Sequence, residues 1–369
     1  MTSSVNGFEL RRITLPLVSP FRTSMGVEHG RDVLLVRAVV GDAEGWGECV
    51  AMSDPHYSHE YVDGAADVIR RFLIPAAGSS DDFHLVEQRF AAVRGHPMAR
   101  TAVHTALLDA RLRAAGMSLG EFLGAVRPTV PAGVSVGIMD DVGELLDAVA
   151  GYLDAGYVRI KLKIEPGWDV APVAAVRDRF GAEILLQVDA NCAYTATDSA
   201  RLSTLDDFGL LLIEQPFPEE DLAGHARLAA SVRTPICLDE SITSARVAAQ
   251  AIGAGACSAV NIKPGRVGGY LEARRIHDVC AAHGVPAWVG GMLETGVGRA
   301  ANAALAALPG CTLPGDISAS DRYYARDITA PFVLRDGHIT VPTGPGIGVD
   351  VDDAALADVT TGTEWIPVR

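Results

Sequence analysis

The chain has 369 residues, 49% of them hydrophobic and 21% charged, which suits a large buried core and excludes a disordered chain. Its formal net charge of −15 disfavours nucleic acid and anionic membranes as partners. No run approaches the roughly 18 apolar residues of a membrane span, and MTSSVNGFELRR lacks the charged start and apolar stretch of a secretory leader, so a cytoplasmic location is expected.

Residues 1–127 read as one α+β unit. FELRRITLPLV, DVLLVRAVV and GWGECV have the composition of strands, with turns expected at Gly30 and at Gly41-Asp42. Helical patterns follow near 59–74, 84–93 and 99–115, the last closing on Gly116 as a helix C-cap. His56 and His59, in SDPHYSH, fit no metal-binding motif and read as surface residues.

Residues 128–318 repeat strand and helix. Apolar runs at 132–137, 157–164, 183–190, 209–215, 235–239, 259–263 and 286–291 predict seven strands, and LPGDIS at 313–318 a shorter eighth. From Lys163 the polar residues closing successive runs are Asp189, Glu214, Asp239 and Lys263, at steps of 26, 25, 25 and 24 residues. Alternation gives these residues a common phase, so they predict a parallel (β/α) barrel with its polar ends gathered at one mouth. Residues 319–369 carry FVLRDGHITVP, a predicted hairpin around Asp336-Gly337, and are expected to pack back on the N-terminal unit.

Three carboxylates from neighbouring strands, with no histidine or thiolate among them, offer hard oxygen ligands suited to Mg²⁺ or Mn²⁺ rather than Zn²⁺. Lys163 and Lys263 stand on strands to either side of them. A metal flanked by two amines points to removal of a proton α to a carboxylate, with nearby positive charge, including Lys161, expected to lower a lysine pKa toward neutrality. The alternatives are buried salt bridges alone, a Schiff-base aldolase on the same barrel, or a catalytically silent barrel. The six cysteines are scattered without a C-x-x-C pair; Cys192 and Cys237 fall near the mouth but lack a partner histidine, and read as reduced small hydrophobes.

Lys161-x-Lys163, Asp189, Glu214, Asp239-Glu240-Ser241 and Lys263 resemble the muconate lactonizing enzyme subgroup of the enolase superfamily. YVRIKLKIEPGWDV, LLQVDAN, LLLIEQP, TPICLDES, VNIKPGRVGGYLEARR and GGMLETG are similar more narrowly to the o-succinylbenzoate synthase / N-succinylamino acid racemase family, along nearly the whole chain. This resemblance implies an α/β fold, a modified (β/α)7β TIM barrel with an N-terminal α+β capping domain. It implies Mg²⁺, with Mn²⁺ as a substitute, on Asp189, Glu214 and Asp239; Lys163 and Lys263 as the acid/base pair; and Lys161 near a small-molecule carboxylate substrate. The implied reactions are syn dehydration to o-succinylbenzoate, in menaquinone biosynthesis, and racemisation of N-succinylamino acids, the latter associated with Arg266. A homo-oligomer is implied as well. Ser135, Asn191 and Met292 are expected at the substrate, Phe21, Met25, Met52 and Tyr57 in an apolar lid, and the Gly290-Gly291 bend near a substrate carboxylate.

Overall fold

The computed structural model describes residues 4–368. Its strands, numbered in chain order, are β1 (Val5–Thr23), β2 (Gly26–Val40), β3 (Ala43–Cys49), β4 (Thr129–Pro131), β5 (Gly133–Val136), β6 (Arg159–Lys163), β7 (Leu185–Asp189), β8 (Ile213–Glu214), β9 (Ile236–Leu238), β10 (Ala259–Ile262), β11 (Ala287–Val289), β12 (His338–Thr340) and β13 (Thr360–Pro367). Strands β5 to β11 form one curled parallel sheet in unbroken chain order; an antiparallel sheet runs β13-β1-β2-β3, and β12 pairs with β4.

The middle of β2, residues 33–36, is buried on both faces, which is why it reads as a continuous apolar run. Val33 and Leu35 join the core shared with the barrel, whereas Leu34, Val36 and Ala38 join a second core under the helix Pro97–Ala115. That helix approaches β3 so closely that a Cβ at Gly45 or Gly47 would fall 2.1 Å from Ala110 N or 2.0 Å from Ala102 O, so only glycine fits there.

The turn expected at Gly30 is not formed. Gly30 pairs with Pro16 inside the β1–β2 ladder, which shifts register and continues until Thr23 meets Gly26, so the turn lies at Ser24-Met25. Gly41-Asp42 does make the second turn.

Each barrel strand from β5 to β7 feeds an amphipathic helix or helical segment that covers the sheet, beginning with Val142–Asp154, which Asp141 caps and Gly156 follows at φ +95°. The eighth strand is the main departure from expectation. Residues 311–316 close the gap between β11 and β5 by isolated bridges, Ala287 to Cys311 and Ala132 to Gly315, because Pro314 has no N–H to extend a ladder. The Asp336-Gly337 turn forms with both residues at positive φ, but beyond the single Arg335–His338 bridge its outgoing strand β12 pairs with β4 rather than with the residues before the turn.

Candidate active site

Sheet register sets the centre of the site. Lys163 on β6 stands level with Asp189 on β7, and Asp189 with Glu214 on β8; Asp239 and Lys263 each follow a strand end by one residue. None of the five is more than 6% exposed. Four non-glycine residues just past these and neighbouring strand ends, Asn191, Cys192, Gln215 and Leu293, hold φ of +41°, +64°, +38° and +58°, a strain that turns the chain sharply at the barrel mouth.

Ammonium and carboxylate groups alternate in this layer. Lys163 Nζ donates to Asp189 Oδ2 and to Asn191 Oδ1, both at 2.6 Å. Lys263 Nζ lies 2.7 Å from Asp239 Oδ2 and donates to the Tyr57 hydroxyl at 3.1 Å. Lys161 sits between Asp189 and Glu214, 3.2 Å from each, and 2.5 Å from Asp316 Oδ2. Asn261 Nδ2 donates to the other Glu214 oxygen at 2.7 Å, and Asn191 Nδ2 to Glu240 at 2.9 Å.

Burial pushes the Glu214 carboxyl up, and the adjacent Asp189 charge acts in the same direction. Asp189 is itself held low: burial would raise it, but Lys163 and Lys161 outweigh that penalty. The carboxylates around them hold Lys161 and Lys263 as ammonium groups. Burial lowers each, yet Asp316, Glu214 and Asp189 around Lys161, and Asp239, Tyr57 and Glu240 around Lys263, hold both well above the usual ammonium value. The Cys192 and Cys237 thiols are pushed up by burial and by nearby carboxylates, which keeps both protonated and unsuited to attack.

Above the layer opens a cavity of about 460 Å³. Lys161, Lys163 and Lys263 line it, together with Ser135, Asn191 and Met292, whereas Asp189, Glu214 and Asp239 do not. Phe21, Met25, Met52 and Tyr57 also face it, from the hairpin and loop of the N-terminal unit. His56 is exposed at its rim, and Gly291 lines it, but the Gly290 N–H is engaged by Ile262 O at 3.1 Å.

Arg266 does not reach the cavity. Its guanidinium donates to the carbonyls of Asp239 and Glu240 at 2.8 and 2.7 Å and stands 5.9 Å from the Tyr57 ring, so it braces the segment bearing Asp239. Asp316 is the residue that sequence reading missed. It bridges Lys161 and Arg159, the latter at 2.7 Å, and lines the cavity. It is the one acid in LPGDIS, and its place in a barrel-closing segment was the available signal. Trp288 was missed too; its ring lies under Lys161 and Arg159 at 4.9 and 5.1 Å.

With the ammonium groups folded in, no three acidic, histidine or cysteine groups among the described residues converge closely enough to hold an ion. The donor set nonetheless fits a hard divalent cation. Both Asp239 carboxylate oxygens are buried without a hydrogen bond, held only by ion pairs to Lys263 and Arg266 at 2.7 and 3.6 Å, and the charge of Asp189 disfavours ionised Glu214. Lys161, bridging Asp189 and Glu214, already shows that the pair needs a shared positive charge.

Residues 9–124 match the mandelate racemase / muconate lactonizing enzyme N-terminal domain, and residues 144–355 the enolase C-terminal domain-like family. The chain belongs to the enolase superfamily. An N-succinylamino acid racemase from an Amycolatopsis species is 63% identical over 364 residues, 98% of this chain and 99% of that protein. An o-succinylbenzoate synthase from Geobacillus kaustophilus is 47% identical over 347 residues, 93% and 92% of the two chains. The crystal structure of an enolase superfamily member from Listeria innocua superposes with a TM-score of 0.95 at 39% identity, covering 100% of both chains. Within the superfamily the chain therefore falls in the muconate lactonizing enzyme subgroup, beside the o-succinylbenzoate synthases and N-succinylamino acid racemases. Its fold is the superfamily's, a strand-rich N-terminal cap beside a parallel barrel. Among the described residues, no helix is long and apolar enough to cross a membrane.

Proposed function

We propose that this enzyme is a Mg²⁺-dependent o-succinylbenzoate synthase that also racemises N-succinylamino acids. The observation carrying this reading is that Lys163 and Lys263 face one cavity from strands on either side of Asp189, Glu214 and Asp239. Asp189, Glu214 and Asp239 would hold a divalent cation, which would supply positive charge that offsets the charge developing on the substrate when its α-carbon loses a proton.

In dehydration, neutral Lys163 takes the proton from C1 of 2-succinyl-6-hydroxy-2,4-cyclohexadiene-1-carboxylate. The C6 hydroxyl then leaves on the same face with that proton, as water, and the ring becomes aromatic. Lys263 remains an ammonium opposite, facing the negative charge that develops on the carboxylate. Lys161 is directed at the substrate carboxylate, and Asp316 and Trp288 fix its position. In racemisation, one lysine removes the α-proton and the other delivers a proton to the opposite face. Ser135, Asn191 and Met292 contact substrate from the cavity wall, and Arg266 acts on Lys263 indirectly, through Asp239 and Tyr57.

A second reading, racemisation as the main role, is favoured by the 63% identity to a protein named as a racemase. One preparation with Mg²⁺, assayed for kcat/KM in cyclohexadiene dehydration and in racemisation of several N-succinylamino acids, separates them. A larger dehydration constant supports a role in menaquinone synthesis, a larger racemisation constant a role in amino-acid metabolism. Absence of both activities refutes the proposal.

A further inference from the structure

We propose that Arg322 is a positioning residue that sets the upper wall of the active-site cavity by holding Phe21, at the tip of the β1–β2 hairpin, over the barrel. This rests on reading that cavity as the substrate site.

Arg322 ends the short turn Ser320–Arg322 that follows the barrel-closing segment, and it is 9% exposed. No carboxylate pairs with it among the described residues. Its side chain makes one hydrogen bond, from Nη2 to the carbonyl of Ser135 at 2.9 Å, and its Nε is buried without a partner. Aromatic faces take the place of water and of a counter-ion: the guanidinium lies 4.8 Å from the Tyr323 ring, 5.0 Å from Tyr152 and 5.7 Å from Phe21. Phe21 in turn meets Tyr323 edge to face, centroids 6.2 Å apart.

These contacts join three separate parts of the chain: the hairpin through Phe21, the helix Val142–Asp154 through Tyr152, and β5 through Ser135. Phe21, Tyr323 and Ser135 line the cavity and Arg322 does not, so it shapes the wall from behind. The hairpin needs such a tie. Val18 and Val27 near its tip are 52% and 48% exposed, and its other links to the barrel include the hydrogen bonds Val18 N to Tyr323 O, Ile138 N to Arg22 O and Ser24 Oγ to Ala190 O, and the half-exposed ion pairs of Arg22 with Glu165 and Asp140 at 3.0 and 3.5 Å. Those links are hydrogen bonds and half-exposed ion pairs that water and salt weaken, whereas the Arg322 contacts with three rings lie in a largely buried cluster.

The test uses the full chain with Mg²⁺ and compares wild type with Arg322→Met, Arg322→Lys, Phe21→Ala and the Arg322→Met/Phe21→Ala double variant. Arg322→Met is expected to raise KM about tenfold while kcat falls less than about threefold, and Arg322→Lys, which keeps a cation among the rings but not the planar fork, to recover part of the loss. In the Phe21→Ala background the effect of Arg322→Met should shrink to less than about twofold, since its target is gone.

Trypsin gives a readout that does not depend on turnover. The Arg22 side chain in the hairpin is 41% exposed and that of Arg233 on the barrel 77%. Well below the melting temperature, Arg322→Met should speed cleavage after Arg22 and leave cleavage after Arg233 unchanged. Equal KM effects in both Phe21 backgrounds, or cleavage after Arg22 at the wild-type rate, would overturn the assignment, as would faster cleavage at both sites, which marks general loosening. If no variant and no wild-type sample turns over, the functional reading fails, and the cleavage pattern still decides Arg322.

Discussion

Glu48 gives the most direct test of the electrostatics at the seam between cap and barrel. It leaves β3 to accept Thr295 N, Thr295 Oγ1 and Gly298 N at 3.1, 2.6 and 3.0 Å, capping the barrel helix Gly296–Ala306 from the other unit. Burial, helped by the charge of Glu294, pushes its carboxyl from 4.5 up to about 7 in spite of these donors. A carboxyl raised on folding binds its proton more tightly in the folded state, so its contribution to stability is fully present below pH 4.5 and is lost as pH rises through about 7. Between pH 5 and pH 8 that loss amounts to about 2.5 kcal/mol, at about 1.4 kcal/mol per pH unit over the window separating the two values. Glu48→Gln cannot titrate. It gives up one acceptor, at a cost of about 1 kcal/mol near pH 5, and should equal or exceed wild-type stability by pH 8. The assay is denaturant unfolding of both proteins from pH 5 to 8.5 at fixed Mg²⁺. Parallel pH profiles would refute the argument.

Asp316→Asn takes the carboxylate from buried Arg159 and the nearest of three from Lys161; it should lower the melting temperature by about 5 °C or more and, by letting Lys161 shift toward Asp189 and Glu214, reduce kcat/KM about a hundredfold. Lys163→Ala should abolish both reactions, whereas Lys263→Arg should abolish racemisation and spare part of the dehydration, and equal loss of both would sink that division of roles. Chelation should remove activity and Mg²⁺ restore it, with stabilisation of about 2.7 kcal/mol at a hundredfold excess over Kd; calorimetry should show no such gain in Asp189→Asn.

The centre of the site was legible because a parallel barrel converts sequence period into place. Lys163, Asp189 and Glu214 close equivalent strands, so a count along the chain already put them level. What escaped lay where that conversion fails. Asp316 stands on a segment joined to its neighbours by single bridges, and no alternation marks such a residue as inward. Arg266 is near Lys263 in sequence, but its helical turn aims it at backbone carbonyls behind the site. Composition counts charges, whereas a lysine's ionisation depends on which stand within 3 Å, and Lys263 has Asp239 at 2.7 Å. Gly30 looked like a turn because glycine serves equally where backbones crowd, and a Cβ there would lie 3.0 Å from Leu15 O.

The N-terminal sheet has a consequence for how the chain is made. Strand β1, 19 residues long, takes β2 on one side and β13 on the other, so its second edge is covered by residues synthesised after the whole barrel. Until then a nascent chain carries that edge open, a template for pairing with another molecule. Shortening the chain before Thr360 should therefore show itself first in solubility, as aggregates that grow with expression level, while the barrel residues that do the chemistry are all present.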